Sequence, residues 1–294
     1  MKFLITGGSG LLGQYLNIEL SNDDYILTLY NEHEGNCKEF NSLKVDIKDF
    51  DKVREVIREF NPDIVIHTAA ISTPQLSDNL SAKEVYKTNV NATKIVAEEC
   101  ERNGSKLIYL STDLVYAGYR GSMLTENSKL IPVSLYAETI LMGETKIQET
   151  YDNHIILRTA LLYGFGLNKS KCHFHEMYKN LKENKNVKLF TDQFRTPLSL
   201  FDASRIISSL MKLEIKGEVI NFGGIERVSR YELGEILCSV TNLDRAHLEK
   251  ITMDDIPGLP KVEDVSMNTE RLQSFGIKQK GIEESINEIL NTEY

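Results

Sequence analysis

The feature that most constrains this chain lies at its start, where an apolar run at 2–5 leads directly into Thr6-Gly7-Gly8-Ser9-Gly10-Leu11-Leu12-Gly13. The run reads as a short buried strand, and the residues from Leu11 onward carry helical spacing. Each glycine has a task in such a turn. Gly7 permits a tight bend, Gly10 lets backbone N–H groups approach a pyrophosphate, and Gly13 lets the helix pack close to the sheet. Gly7, Gly10, Leu11, Leu12 and Gly13 are therefore expected to cradle a dinucleotide at a helix N-terminus, although a glycine-rich βα turn can also exist without a ligand. A serine-hydrolase elbow is excluded, because Leu11 stands where Gly-x-Ser-x-Gly needs its second glycine.

The hydrophobic pattern beyond this turn changes period repeatedly. Buried-strand runs at 2–5, 25–29, 63–67, 106–110 and 154–158 alternate with helical stretches at 11–20, 50–60, 82–101 and 135–150. This alternation predicts an α/β fold, a Rossmann-type doubly wound parallel sheet with helices on both faces. After about residue 160 the rhythm loosens into a helix at 174–183, a strand at 187–189, a helix at 201–213 and a strand at 218–221. No linker separates the halves. The expected division is a dinucleotide-binding domain at 1–165, with a returning strand near 218–222, and a smaller interleaved substrate lobe at 166–294.

A formal net charge of −9 with no basic stripe argues against nucleic acid, whose binding depends on cations that neutralise phosphates. No apolar run reaches membrane-spanning length, and the N-terminus is too short for a signal-peptide core. The expectation is a cytoplasmic protein. Cys37, Cys100, Cys172 and Cys238 are scattered, so reduced thiols are expected rather than a disulfide framework. Cys172-His173-Phe174-His175-Glu176 groups metal-binding side chains, but neighbours on a helix point in different directions. No metal site is expected there.

The second strand should end near Tyr30-Asn31, where a carboxylate on the ribose 2′-hydroxyl would mark NAD selectivity. None sits there, Glu32 follows closely, and no arginine is placed for a 2′-phosphate, so NADP or NAD stays open. In Val45-Asp46-Ile47, Asp46 could receive the adenine amino group or serve as a surface cap.

Taken in order, Thr6–Gly13, Val45-Asp46-Ile47, His67-Thr68-Ala69-Ala70, Asn89-Val90 and Ser111-Thr112-Asp113-Leu114-Val115-Tyr116 resemble the extended short-chain dehydrogenase/reductases. Further likeness to the dTDP-4-dehydrorhamnose reductases comes from Tyr136 through Gly143-Glu144, Arg158-Thr159 through Tyr163-Gly164, and Asp192-Gln193 followed by Pro197. The resemblance implies a nucleotide-sugar substrate between the lobes and NAD(P)H-dependent reduction of a 4-keto deoxysugar nucleotide. It gives Thr112 the substrate carbonyl, Tyr136 the proton, Asn89 the support of the proton path, and Asp113 a place beside them. Tyr30, Asp46, Ile47, Ala69, Ala70, Ile71 and Tyr136 join the glycines as cofactor contacts. Gln193 and Arg195 become substrate contacts, with Asn221, Arg227 and Arg230 as weaker candidates. Arg195 could grip a diphosphate in two places or lie on the surface. A homodimer through the helices at 82–101 and 135–150 would suit the family.

One position departs from the pattern. The family lysine four residues after the tyrosine is Ile140 here, and Lys146, about 15 Å further along the helix from Tyr136, cannot stand in for it. This leaves a second class open: a catalytically weak or inactive dinucleotide-binding regulatory protein of the same fold.

Overall fold

The computed structural model describes residues 1–21, 25–168, 170, 172–258 and 260–292. Six strands, β1 (Lys2–Thr6), β2 (Tyr25–Tyr30), β3 (Ser42–Lys44), β4 (Ile64–His67), β5 (Lys106–Thr112) and β6 (His154–Thr159), are joined by a seventh at Glu218–Phe222. The order across the sheet is Glu218–Phe222, β6, β5, β4, β1, β2, β3, and every pairing is parallel. The order in which successive strands are added reverses between β1 and β4, which opens a crevice at their carboxyl ends.

Both faces of the sheet are buried, as the strand period of two makes visible. Phe3 and Ile5 enter one apolar core with Leu12 and Leu16 of α1 (Leu11–Glu19) and with the helix Leu200–Met211. Leu4 between them points the other way, into a core shared with the helices Phe50–Phe60, Ala92–Asn103 and Leu135–Thr150. A third cluster underlies the second lobe, which contributes the helices His173–Lys182, Arg230–Thr241 and Ile282–Asn291.

Three local features differ from the sequence expectation. The helix expected without interruption at 82–101 contains a π-helical turn, Lys87–Asn91, between helical segments Ala82–Tyr86 and Ala92–Asn103. One extra residue per turn places Asn89 over Ile71 and Thr139, which its side chain bonds. The short strand β3, absent from the expected strand runs, precedes Val45-Asp46-Ile47, where Asp46 Oδ1 accepts the Lys48 N–H at 2.9 Å and turns the chain. In the second lobe, two-residue strands pair Leu162–Tyr163 with Leu198–Ser199 and Phe194–Arg195 with Val228–Ser229. Segments of two residues have no period to detect.

No helix among the described residues is long and apolar enough to cross a membrane. Cys37, Cys100, Cys172 and Cys238 are free and buried. No three His, Cys, Asp or Glu side chains among the described residues come together to hold a metal, and His175 Nδ1 instead accepts the Gly166 N–H at 3.2 Å.

Candidate active site

A single cleft of about 1390 Å³ runs from the glycine turn across the sheet's carboxyl edge to the second lobe. Pockets for one drug-sized ligand usually stay below about 1,000 Å³, so this cleft has room for a cofactor and a second molecule.

At one end, Gly7 takes φ +70°, and a Cβ there would lie 2.8 Å from Ala69 N. A Cβ on Gly13 would stand 2.2 Å from Gly7 O and 2.7 Å from Gly8 Cα, so any side chain would force the helix off the turn. Gly10 caps α1 without a side-chain hydrogen bond, and no acidic residue occupies the first helical turn. The N-terminal N–H groups of α1 thus remain available to an anion, and these residues fit a pyrophosphate.

The turn is braced from below by a buried polar chain. Thr93 donates its hydroxyl to Asn89 O at 2.8 Å, so it must accept from His67 Nε2 at 3.1 Å. His67 Nδ1 then accepts from the Thr6 hydroxyl at 2.7 Å, and Thr6 Oγ1 accepts the Ala69 N–H at 3.3 Å. Burial holds the His67 pKa down at about 4, which keeps the ring neutral as this chain of donors requires.

Beyond the glycine turn, past the end of β2, the cleft is lined by Tyr30, Asn31, Glu32, Asp46, Ile47 and Lys48. Asp46 does cap its own turn, yet its Oδ2 stays 3.7 Å from Lys48 Nζ at the cleft wall. Ala69, Ala70 and Ile71 line the middle.

Thr112 ends β5, and Tyr136 sits in the first turn of the helix Leu135–Thr150, capped by Ser134 Oγ. The Thr112 hydroxyl donates to Asp113 Oδ1 at 3.2 Å and accepts the Leu114 N–H at 3.3 Å, and Thr112 and Tyr136 both line the cleft. Burial first, and then the charge of Asp113, push the phenol up to about 12. Ile140, one helical turn beyond, is 1% exposed within the apolar core and also lines the cleft, so the position faces the site but brings no charge. The end of β5 is held rigid from behind: Ser111 donates to Glu144, which receives Arg158 Nη2 at 2.9 Å, and Arg158 Nη1 reaches the Tyr116 hydroxyl at 3.0 Å. Tyr116 in turn donates to Asn221 Oδ1 at 2.6 Å. The sequence pointed to none of these as a network, since its members lie on four separate elements.

At the far end, Gln193, Arg195 and Arg230 line the cleft opposite Asp113. Arg195 is 6% exposed and its Nε lies 3.4 Å from Asp113 Oδ2, which removes the surface alternative for this residue. Burial raises the Asp113 carboxyl, opposed first by the charge of Arg195. Ile256, Pro257, Gly258 and Pro260 form the outer rim, while Leu259 lies outside the described residues.

Three sequence candidates are not in the cleft. Asn89 is buried behind the wall, where its Oδ1 accepts the Ile71 N–H at 2.9 Å and its Nδ2 donates to Thr139 Oγ1 at 3.1 Å. Asn221 spends its amide on the carbonyls of Leu124 and Asn268. Arg227 pairs with Asp264 at 2.7 Å and stacks 3.7 Å over the Phe194 ring.

Comparison with known proteins matches this arrangement. A methionine adenosyltransferase 2 subunit beta from Bos taurus is 27% identical over 301 residues, 97% of this chain and 87% of that protein. A dTDP-4-dehydrorhamnose reductase from Aggregatibacter actinomycetemcomitans is 26% identical over 87% of this chain and 82% of its own length. The solved dTDP-4-dehydrorhamnose reductase from Bacillus anthracis in complex with NADP superposes with a TM-score of 0.85 at 23% identity, covering 98% of both chains. The RmlD substrate binding domain family matches residues 1–294. A Rossmann-type sheet, a glycine cradle and a Thr-Tyr pair thus meet in one cleft, and the chain belongs to the RmlD substrate binding domain family, with the fold of the sugar-nucleotide reductases.

Proposed function

We propose that this protein binds NAD(P)H in the glycine-lined half of the cleft and reduces a 4-keto deoxysugar nucleotide in the other half. The observation that carries the reading is that Thr112 and Tyr136 line the same cleft as the Gly7, Gly10 and Gly13 cradle. A bound nicotinamide dinucleotide supplies the hydride. Thr112 and Tyr136 receive the substrate carbonyl oxygen between two hydroxyls, and Tyr136 releases its phenolic proton to that oxygen as negative charge develops there. A phenol held at about 12 is fully protonated at neutral pH, so the acid is present in the form that reduction requires. The reverse reaction needs the phenolate, which burial and Asp113 disfavour. Asn89 contributes by fixing Ile71 in the cleft wall.

The test is spectrophotometric: purified protein with NADH or NADPH and dTDP-4-dehydrorhamnose should consume the dinucleotide, and Tyr136→Phe should abolish it. Ile140 and the likeness to adenosyltransferase beta subunits favour a second reading, in which the chain holds the dinucleotide as a regulatory subunit of another enzyme. Tight dinucleotide binding without turnover of several keto-sugar nucleotides would support that reading over the first.

A further inference from the structure

The residue directly after the last glycine of the turn ties three parts of the molecule together without entering the cleft. Gln14 stands on α1, is fully buried and is not part of the cleft lining. Its Nε2 donates to Ser9 O at 3.2 Å in the glycine turn and to Leu167 O at 3.0 Å in the second lobe, with Ser170 Oγ at 2.6 Å beside them. Its Oε1 accepts the Asn36 N–H at 3.0 Å, from the loop that follows β2, and accepts from Asn168 Nδ2 at 3.1 Å. These partners fix which end of the amide is which, because a backbone N–H only donates and a carbonyl only accepts. The same helix seats the rest of Asn36: Asn36 Nδ2 donates to Gln14 O at 2.9 Å, and Asn36 Oδ1 accepts from Asn17 Nδ2 at 2.8 Å, which also donates to Gly8 O at 3.1 Å. Gly35, at φ +56°, brings this loop so close that a Cβ there would lie 2.9 Å from Gln14 Oε1. On the side of the second lobe, the Tyr15 hydroxyl donates to Phe165 O at 2.8 Å.

This set of bonds demands a glutamine. Lysine and arginine have no acceptor for the Asn36 N–H, an ionised glutamate has no hydrogen for Ser9 and Leu167, and asparagine is one methylene short. The three parts that Gln14 joins each reach the cleft: Ser9 in the glycine turn, residues 30–32 at the start of the Asn36 loop, and residues 159–162, which lead into the segment holding Leu167. We propose that Gln14 is a positioning residue for dinucleotide binding, which touches no ligand itself and holds the glycine turn, the wall past β2 and the adjoining wall of the second lobe in the one arrangement that a molecule spanning them requires. This role deepens the dinucleotide-binding reading and rests on it. A ligand that bridges prearranged walls does not have to order them on binding, whereas a fragment that meets one wall gains nothing from the arrangement of the others.

The test compares wild type with Gln14→Met, which removes both hydrogen-bonding ends at nearly constant length. NADH is titrated by fluorescence, and AMP and inorganic pyrophosphate are measured as competitors of NADH. NADH, which spans the walls, should bind Gln14→Met about tenfold more weakly, while the competition constants of the two fragments stay within about twofold of wild type. Gln14→Glu keeps the acceptor for Asn36 and shows the same split should Gln14→Met fail to fold. Its deficit at about pH 9 shrinks at about pH 6, where protonation returns a hydrogen for Ser9 or Leu167. A residue that only supports the fold would lower Tm and weaken all three ligands together or none of them, and either result overturns the proposal. A wild type that binds neither NADH nor NADPH refutes the dinucleotide reading itself and this role with it, which is a different result from equal NADH affinity in wild type and variant.

Discussion

Ile140→Lys restores a cation one helical turn from Tyr136, and its consequence can be worked out in advance. Residues four apart on a helix have Cβ atoms about 5–6 Å apart, and unit charges about 5 Å apart at an effective dielectric of about 20 interact by roughly 3 kcal/mol. That is about two pKa units, enough to bring the Tyr136 phenol from about 12 down to roughly 10. At pH 8 the phenolate fraction would rise from roughly one in ten thousand to roughly one in a hundred. Oxidation of an alcohol substrate, which needs phenolate, should therefore accelerate about a hundredfold, while reduction at neutral pH gains less because the acid is already protonated. Replacing a buried isoleucine costs about 1.5–3 kcal/mol, softened because position 140 also lines the cleft and an amine can reach into it. The assay is ultraviolet difference titration of phenolate in Ile140→Lys against the same variant carrying Tyr136→Phe. A midpoint that stays near 12 in a folded variant would refute the argument that position 140 is a vacated catalytic position.

The cradle makes its own prediction: Gly13→Ala pushes a methyl into Gly7 O and Gly8 Cα, and should weaken NADH binding at least tenfold by fluorescence titration, with a Tm loss of a few degrees. Glu32 and Asp46 line the cleft past the end of β2 with Lys48 as the cation beside them, so on the proposed binding mode NADH should bind more tightly than NADPH, and Glu32→Ala should narrow the gap. Equal affinities in wild type would remove the electrostatic argument. His67 titrates near 4 when folded and near 6.5 when unfolded, so the unfolded chain binds the extra proton. Its contribution is complete above about pH 6.5 and is lost as pH falls toward 4, a change of up to about 3 kcal/mol that His67→Gln should flatten in denaturant titrations across that window. Glu144→Gln removes the buried partner of Arg158 and should cost about 3 kcal/mol in urea unfolding, with a Ser111 end of β5 that is less fixed.

The glycine turn and the alternating strands and helices were legible in the sequence, because each depends on spacing within one segment, and the missing lysine was legible through the family resemblance. Period two and period 3.6 are local properties, and glycine at a bend reports a local steric limit. Gly7, Gly10, Gly13, Thr112, Asp113 and Tyr136 could be named from such patterns and from the family likeness they carry. What the sequence could not supply was which distant side chains meet. The likeness could name Asn89, but only the π-helical turn shows what its side chain bonds, the Ile71 N–H and Thr139 behind the cleft wall. Asn221, Arg227 and Arg230 stood as equally weak candidates behind Arg195, and only the tertiary arrangement separated them, turning the first to Leu124 and Asn268, the second to Asp264, and Arg230 with Arg195 into the cleft. The reason is physical: a charged side chain's role is set by what surrounds it after folding, since burial and the count of opposite charges within a few ångströms decide whether it is a structural pair or an open site.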